Sequence, residues 1–278
     1  MARKIQPCVL TIAGSDSGGN AGVQADLRAF HCYGLHGCTV FAALTAQNPR
    51  GVRSVLDVPA AFIADQLDAV FEMYNVRALK TGMLATPEAI EVVAERLRAA
   101  PRVKKVVDPV MVATSGAKLI SDEAVAVLRE RLLPLATLIT PNLPEAAALL
   151  GHPVGPGAGM RAAARELAER FGCAVLVKGG HAVVDGEGGS AEDVLFDGRR
   201  VRVFGKPVVP HPVSTHGTGC SLAAALAAEL ARGASLARAV EGAKDFVFDA
   251  IKTSYRVGEN CGVLGMPEKG RWSCPRKN

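Results

Sequence analysis

The chain has 278 residues, 49% hydrophobic and 21% charged, with 32 basic against 27 acidic side chains and a formal net charge of +5. Balanced charge and ordinary apolar content exclude a disordered, collagenous or coiled-coil protein, and no apolar run reaches the roughly 18–20 residues of a membrane span. No block of five or more like charges is present and aromatics are few, which argues against a nucleic-acid partner and leaves a small anionic ligand or a solvated surface.

Along the chain, short β-branched runs alternate with longer helical patterns. Met1-Ala2-Arg3-Lys4 and the apolar run after it could be mistaken for a signal peptide. That run is short and passes straight into a Gly/Ser/Asp loop, so Val9–Ile12 reads as a buried first strand. After Asn20, Val23, Leu27 and Phe30 fall on one helical face. Further strands are expected at Cys38–Ala42, Ala78–Lys80, Val103–Val107, Leu138–Thr140 and Ala174–Lys178, each apolar on both faces as in buried parallel sheets. Pro59 and Pro87 sit where a first helical turn tolerates proline, and Ser121-Asp122-Glu123-Ala124 opens a helix carrying Val125, Leu128 and Leu132. Helices follow at Gly159–Phe171, Gly219–Leu230 and Leu236–Lys252. Val183–Ser190 predicts a flexible turn, and Asp193–Phe196 with Val201–Phe204 a hairpin around Asp197-Gly198. The alternation implies right-handed βαβ units, hence an α/β fold whose mainly parallel sheet is covered on both sides. With no internal repeat, residues 1–278 read as one domain.

The seven cysteines are odd in number and scattered, without a C-x-x-C pair. A disulfide framework or zinc site is therefore not expected, and the protein reads as soluble and of a reducing compartment. His31, His36, His152, His181 and His211 show no mutual spacing that suggests metal binding.

In such sheets ligands bind beyond the carboxyl ends of the strands, which makes the polar groups following each strand the candidates. Gly14–Gly22 joins a strand to a helix but fits neither G-x-G-x-x-G nor the Walker pattern. It is either a close approach for a small ligand or a tight turn. His216-Gly217-Thr218-Gly219-Cys220-Ser221 opens an Ala/Leu helix whose unobstructed first amides suit a phosphoryl group. The same position lowers a thiol pKa, so Cys220 is either a poised acid/base or a small hydrophobe. Asp108 and Glu145 could hold Mg²⁺ through water, although Asn142 with Glu145 is equally a helix-capping pair. Lys178 ends an apolar strand and could neutralise phosphate oxygens.

The motifs Leu10–Gly19, Ala21–Asp26, Thr45–Asn48, Lys80–Leu84, Val107–Val112, Thr140–Ala146, Val177–His181 and His216–Cys220, in this order from about residue 8 to about 252, resemble the hydroxymethylpyrimidine/phosphomethylpyrimidine kinases of thiamin biosynthesis, in the ribokinase-like superfamily. The resemblance implies a three-layer α/β/α fold and a cytoplasmic enzyme, expected as a homodimer. It would phosphorylate 4-amino-5-hydroxymethyl-2-methylpyrimidine and then its monophosphate from ATP with Mg²⁺. It further implies that Asp26 and Gln47 hold the aminopyrimidine and that Gly14, Met83 and Val110 line its pocket. Asp108, Asn142, Glu145, Lys178 and Thr218 would surround ATP and magnesium, and Cys220 would serve as base beside a Gly217–Gly219 anion hole. A pyridoxal kinase of the same superfamily, or a non-catalytic nucleotide-binding regulator, are the competing readings. Asn20 replaces a glycine usual in the family. From about Tyr255 the chain leaves the family pattern, and an irregular tail is expected there.

Overall fold

The computed structural model describes residues 5–111, 120–180 and 189–267. Its elements in chain order are β1 (Cys8–Asp16), α1 (Gly22–Cys32), β2 (His36–Asn48), β3 (Gly51–Asp57), α2 (Ala60–Met73), β4 (Val76–Thr81), α3 (Pro87–Arg98), β5 (Lys104–Val107) and α4 (Asp122–Val127). A π-turn at Leu128–Leu132 and a 3₁₀ turn at Leu133–Leu135 lead to β6 (Leu138–Ile139). Then come α5 (Leu143–Leu150), α6 (Ala158–Phe171), β7 (Ala174–Lys178), β8 (Ser190–Phe196), β9 (Val201–Pro207), α7 (Thr218–Ala231), α8 (Leu236–Lys252), β10 (Tyr255–Gly258) and β11 (Cys261–Val263).

Nine strands form one sheet in the order β3-β2-β1-β4-β5-β6-β7-β8-β9. The six from β2 to β7 are parallel, and β3, β8 and β9 add antiparallel edges. Successive side chains point to opposite faces, so each strand feeds two cores. Leu10, Ile12, Leu79, Val107, Ile139 and Val175 pack with α2 to α6, whereas Val9, Ala78, Val106, Leu138 and Leu176 pack with α1, α7 and α8. This is the expected three-layer α/β/α arrangement. Among the described residues no helix is long and apolar enough to cross a membrane.

Several expectations are adjusted. Leu27 is 36% exposed, and the buried face of α1 is instead Val23, Ala25, Asp26, Ala29 and Phe30. β2 runs on to Asn48 and pairs with β3 as an arm that the sequence did not announce, because most of β3 is exposed. The hairpin around Asp197-Gly198 forms, with Asp197 Oδ1 accepting the amides of Arg199 and Arg200. The segment from Tyr255, expected to be irregular, makes an antiparallel hairpin through Val263. Arg28 ties it to α1 by donating to the Leu264 carbonyl at 3.1 Å. The turn expected at Val183–Ser190 lies outside the described residues up to 188, as do His181 and the basic tail from 268.

Candidate active site

The carboxyl ends of β1, β4, β5, β6 and β7 meet one edge of the sheet, and the strand order reverses between β1 and β4, which opens a crevice there. A bulge between Ala13 and Gly14 lifts the end of β1 out of register with β2. Asp16 then closes the loop: its carboxylate accepts the amides of Gly18 (2.8 Å), Asn20 (3.0 Å) and Ala21 (2.8 Å). Both readings of Gly14–Gly22 therefore have support, since the loop amides are taken by Asp16 while Gly14 still faces Met83. A methyl on Gly14 would fall 2.7 Å from Met83 Cε. Asp16 is a loop-closing residue that the motif reading passed over; its signal was an Asp two residues before a Gly-Gly turn.

Gln47 sits over this loop. Ser17 Oγ accepts the Gln47 amide and donates to its carbonyl, both at 2.8 Å, and Gln47 Oε1 lies 3.2 Å from the Thr45 hydroxyl. The main chain of Gln47 is thus pinned while its half-buried side chain keeps its NH₂ donors for a ring edge. Val110, also half-buried, follows Asp108 with its amide on the Asp108 carbonyl at 2.9 Å.

Asp26 departs from its expected place in the pocket wall. Its side chain is 0% exposed and both oxygens are engaged: Thr11 Oγ1 donates to Oδ2 at 2.5 Å, and Lys80 Nζ to Oδ1 and Oδ2 at 3.1 and 2.8 Å. No surface is left for a ring, so the carboxylate anchors Lys80 beneath the pocket. The Lys80 ammonium is itself wholly buried and lies against Gly82, since a methyl on Gly82 would stand 2.8 Å from Nζ. Burial alone would lower the Lys80 pKa; the charges of Asp26, Cys220 and Asp108 outweigh it and hold the ammonium above its ordinary value. Nothing in the spacing of residues 26 and 80 could have revealed this pair.

On the far side of the crevice a second charge cluster gathers. Lys178 Nζ lies 2.7 Å from Asp108 Oδ1 and 3.9 Å from Glu145 Oε2, and Thr140 donates to Asp108 Oδ1 at 2.9 Å. Asn142 and Glu145 form the capping box of α5: Asn142 Oδ1 accepts the Glu145 amide and Glu145 Oε2 the Asn142 amide, each at 2.8 Å. The capping reading is therefore correct, and Glu145 faces Lys178 as well. Burial, against the pull of Lys178 and with Asp108 adding to it, pushes the Glu145 carboxyl up to about 7. Because that pKa is raised, ionised Glu145 costs the fold progressively more as pH rises from the ordinary carboxylate range through 7. Glu145→Gln, which can keep the capping box, is expected to stabilise the free protein by about 1 kcal/mol at pH 8. The gain should vanish at about pH 3, below both the folded and the ordinary carboxyl pKa, where Glu145 is protonated in either state, and phosphoryl transfer should fall. Thermal unfolding at both pH values checks it.

The front of α7 completes the crevice. Gly217 holds φ at +88°, and a Cβ there would overlap the Asn20 carbonyl. Among the described residues the Gly219 and Cys220 amides have no hydrogen-bond partner. Lys178 Nζ stands 3.8 Å from where a Gly219 methyl would be. The Thr218 hydroxyl turns back onto the Thr215 carbonyl at 3.0 Å. Cys220, half-buried, departs from the expected depressed thiol. Burial pushes its pKa above the ordinary value with help from Asp26 and Asp108, outweighing Lys80 and the Gly22 N–H. Desolvation here exceeds the helix-terminus effect.

The arrangement can hold an uncharged acceptor over Gly14 and Met83 and neutralise phosphoryl oxygens with Lys178 and open amides. The family model for phosphomethylpyrimidine kinase matches residues 16–265. The chain is 48% identical to the thiamine biosynthesis bifunctional protein ThiED of Geobacter sulfurreducens over 92% of its own length and 51% of that protein. It therefore spans about half of that relative. It is 47% identical to a hydroxymethylpyrimidine/phosphomethylpyrimidine kinase of Rhizobium meliloti, with 92% of this chain and 95% of that one covered. Among solved structures, an ADP complex of Bacillus subtilis pyridoxal kinase superposes with a TM-score of 0.85 at 36% identity, covering 95% of this chain and 98% of the other.

Proposed function

Because the chain belongs to the phosphomethylpyrimidine kinase family, we propose that it transfers the γ-phosphoryl group of ATP first to the hydroxymethyl oxygen of 4-amino-5-hydroxymethyl-2-methylpyrimidine and then to the resulting monophosphate. In each step the acceptor oxygen bonds to the γ-phosphorus, the bond to the bridging oxygen breaks, and ADP leaves. The observation that carries this reading is the convergence of Lys178, Asp108 and the open amides of Gly219 and Cys220 on one crevice. Phosphoryl transfer proceeds through a loose, charge-dispersed transition state, so positioning and neutralisation dominate. Lys178 supplies the fixed positive charge, and Gly219 and Cys220 supply main-chain donors.

Two carboxylates against one ammonium leave the cluster short of positive charge. Among the described residues no three His, Cys, Asp or Glu side chains gather for direct ligation. That donor set fits magnesium held through water by Asp108 and Glu145. The ion would neutralise nucleotide phosphate oxygens when bound. Asn142 and Thr218 flank the nucleotide in this reading.

For the acceptor, Gln47 presents its amide to the aminopyrimidine edge, and Gly14, Met83 and Val110 provide the apolar surround. Gln47→Ala is expected to weaken binding of the pyrimidine alcohol by about 1–3 kcal/mol, as for a buried partner left unpaired; isothermal titration measures it. A pyridoxal kinase activity is the second reading, favoured by the structural likeness to the Bacillus subtilis enzyme. Exposed Leu44 and Leu56, paired across the β2–β3 arm, and nearby Phe62 on α2 support the homodimer, and an ATP-dependent reaction suits the cytoplasm. Incubation of the purified protein with ATP and either alcohol, with mono- and diphosphates scored by mass spectrometry, tests the assignment. Turnover confined to pyridoxal, or absent for both, would refute it.

A further inference from the structure

One buried ion pair has no part in the chemistry above. Lys244, on α8, places Nζ 2.7 Å from Asp193 Oδ2 and donates to the Ala191 carbonyl at 3.0 Å. The two side chains are 8% and 6% exposed. Replacing such pairs by apolar residues is often neutral or stabilising, so stability is a weak reason for one.

The other carboxylate oxygen points to the site. Asp193 Oδ1 accepts the Gly179 amide at 2.9 Å, a bond that amide shares with the Glu192 carbonyl at 3.0 Å, and Asp193 is the cross-strand partner of Lys178 itself. Gly179 is the first residue beyond β7. A Cβ there would lie 2.5 Å from the Glu192 carbonyl and 2.7 Å from Met160 Cε, so the backbone is gripped closely. On its other flank the Lys178 amide donates to the Pro141 carbonyl at 2.8 Å. The main chain is thus fixed on both sides of the one residue whose ammonium spans Asp108, Glu145 and the front of α7.

We propose that Asp193, oriented by Lys244, is the positioning residue for Lys178: it clamps the Gly179 amide and so sets where the Lys178 ammonium meets the migrating phosphoryl group. Neither Asp193 nor Lys244 touches substrate. The inference rests on the assignment of Lys178 to the phosphoryl oxygens.

The test compares two double variants that both remove the charges. Asp193→Asn/Lys244→Met keeps a side-chain oxygen for the Gly179 amide, whereas Asp193→Leu/Lys244→Met leaves it the Glu192 carbonyl alone. The leucine variant is expected to show kcat about 10- to 100-fold below that of the asparagine variant, with KM for the pyrimidine alcohol changed less than about two-fold. Thermal unfolding of both confirms that folded enzymes are compared, and Asp193→Ala/Lys244→Met provides the same contrast should leucine not be accommodated. Equal kcat in the two folded double variants, with Lys178→Met impaired, overturns the clamp alone. Wild-type kcat in Lys178→Met overturns the Lys178 assignment and the clamp with it.

Discussion

Lys80→Met is expected to lower the unfolding free energy by about 3–5 kcal/mol at neutral pH, the cost of stranding one member of a buried ion pair. Asp26 would be left at 0% exposure with only the Thr11 hydroxyl facing its carboxylate. Burial already raises the Asp26 carboxyl against the pull of Lys80 and Thr11; without the counter-charge it rises further, so in the variant Asp26 ionises at a still higher pH in the folded than in the unfolded state. For a raised acid the associated stability is present at low pH and lost as pH climbs. The destabilisation should therefore be smallest near pH 4 and grow toward pH 7. Asp26→Asn/Lys80→Met, neutral at both positions, is expected to recover most of the loss. Urea unfolding at two pH values decides it: a loss independent of pH, or no recovery in the double variant, would show that the pair does not act as coupled charges.

Cys220→Ala is expected to slow phosphorylation of the alcohol by about 10²–10⁴, the range for a lost general base. The second transfer should be slowed far less. An alcohol must shed its proton, whereas a phosphate monoester, with a second pKa of about 6, already presents an ionised oxygen at pH 8. The raised thiol pKa adds a signature. Only the thiolate accepts a proton, so the wild-type rate of the first step should keep climbing as pH rises toward 9, and the alanine variant should lose that slope. Single-turnover assays of the two acceptors across pH separate these outcomes. Equal slowing of both steps would make Cys220 a packing residue, as its half-buried place in an Ala/Leu helix also allows.

What was legible beforehand follows from what depends on short range. Parallel strands buried on both faces announce themselves as apolar runs, and β7 begins and ends where Ala174–Lys178 predicts. Groups that directly follow such runs, Asp108, Asn142 and Lys178, were found because topology alone sends them to the crevice. Pairings between distant positions were not legible. Lys80 reads as the end of a strand until Asp26 is seen beside it, and Asp193 reads as one more hairpin residue until Lys244 arrives from α8. The Cys220 thiol was misjudged for a related reason: a helix start is visible in sequence, whereas the desolvation that overrides it is a property of the assembled surroundings. The β3 strand was missed because its side chains are largely exposed and leave no burial pattern.

The contact between Gly217 and the Asn20 carbonyl, too tight to admit a methyl group, bolts the loop after β1 to the start of α7. Acceptor cradle and donor cradle are consequently one casting. The distance between that loop and the open amides of α7 is thus set by the fold itself. A homologous alcohol longer by one methylene would then find no compensating slide: it should be bound yet transferred poorly, making reach, more than recognition of the ring, the stricter gatekeeper.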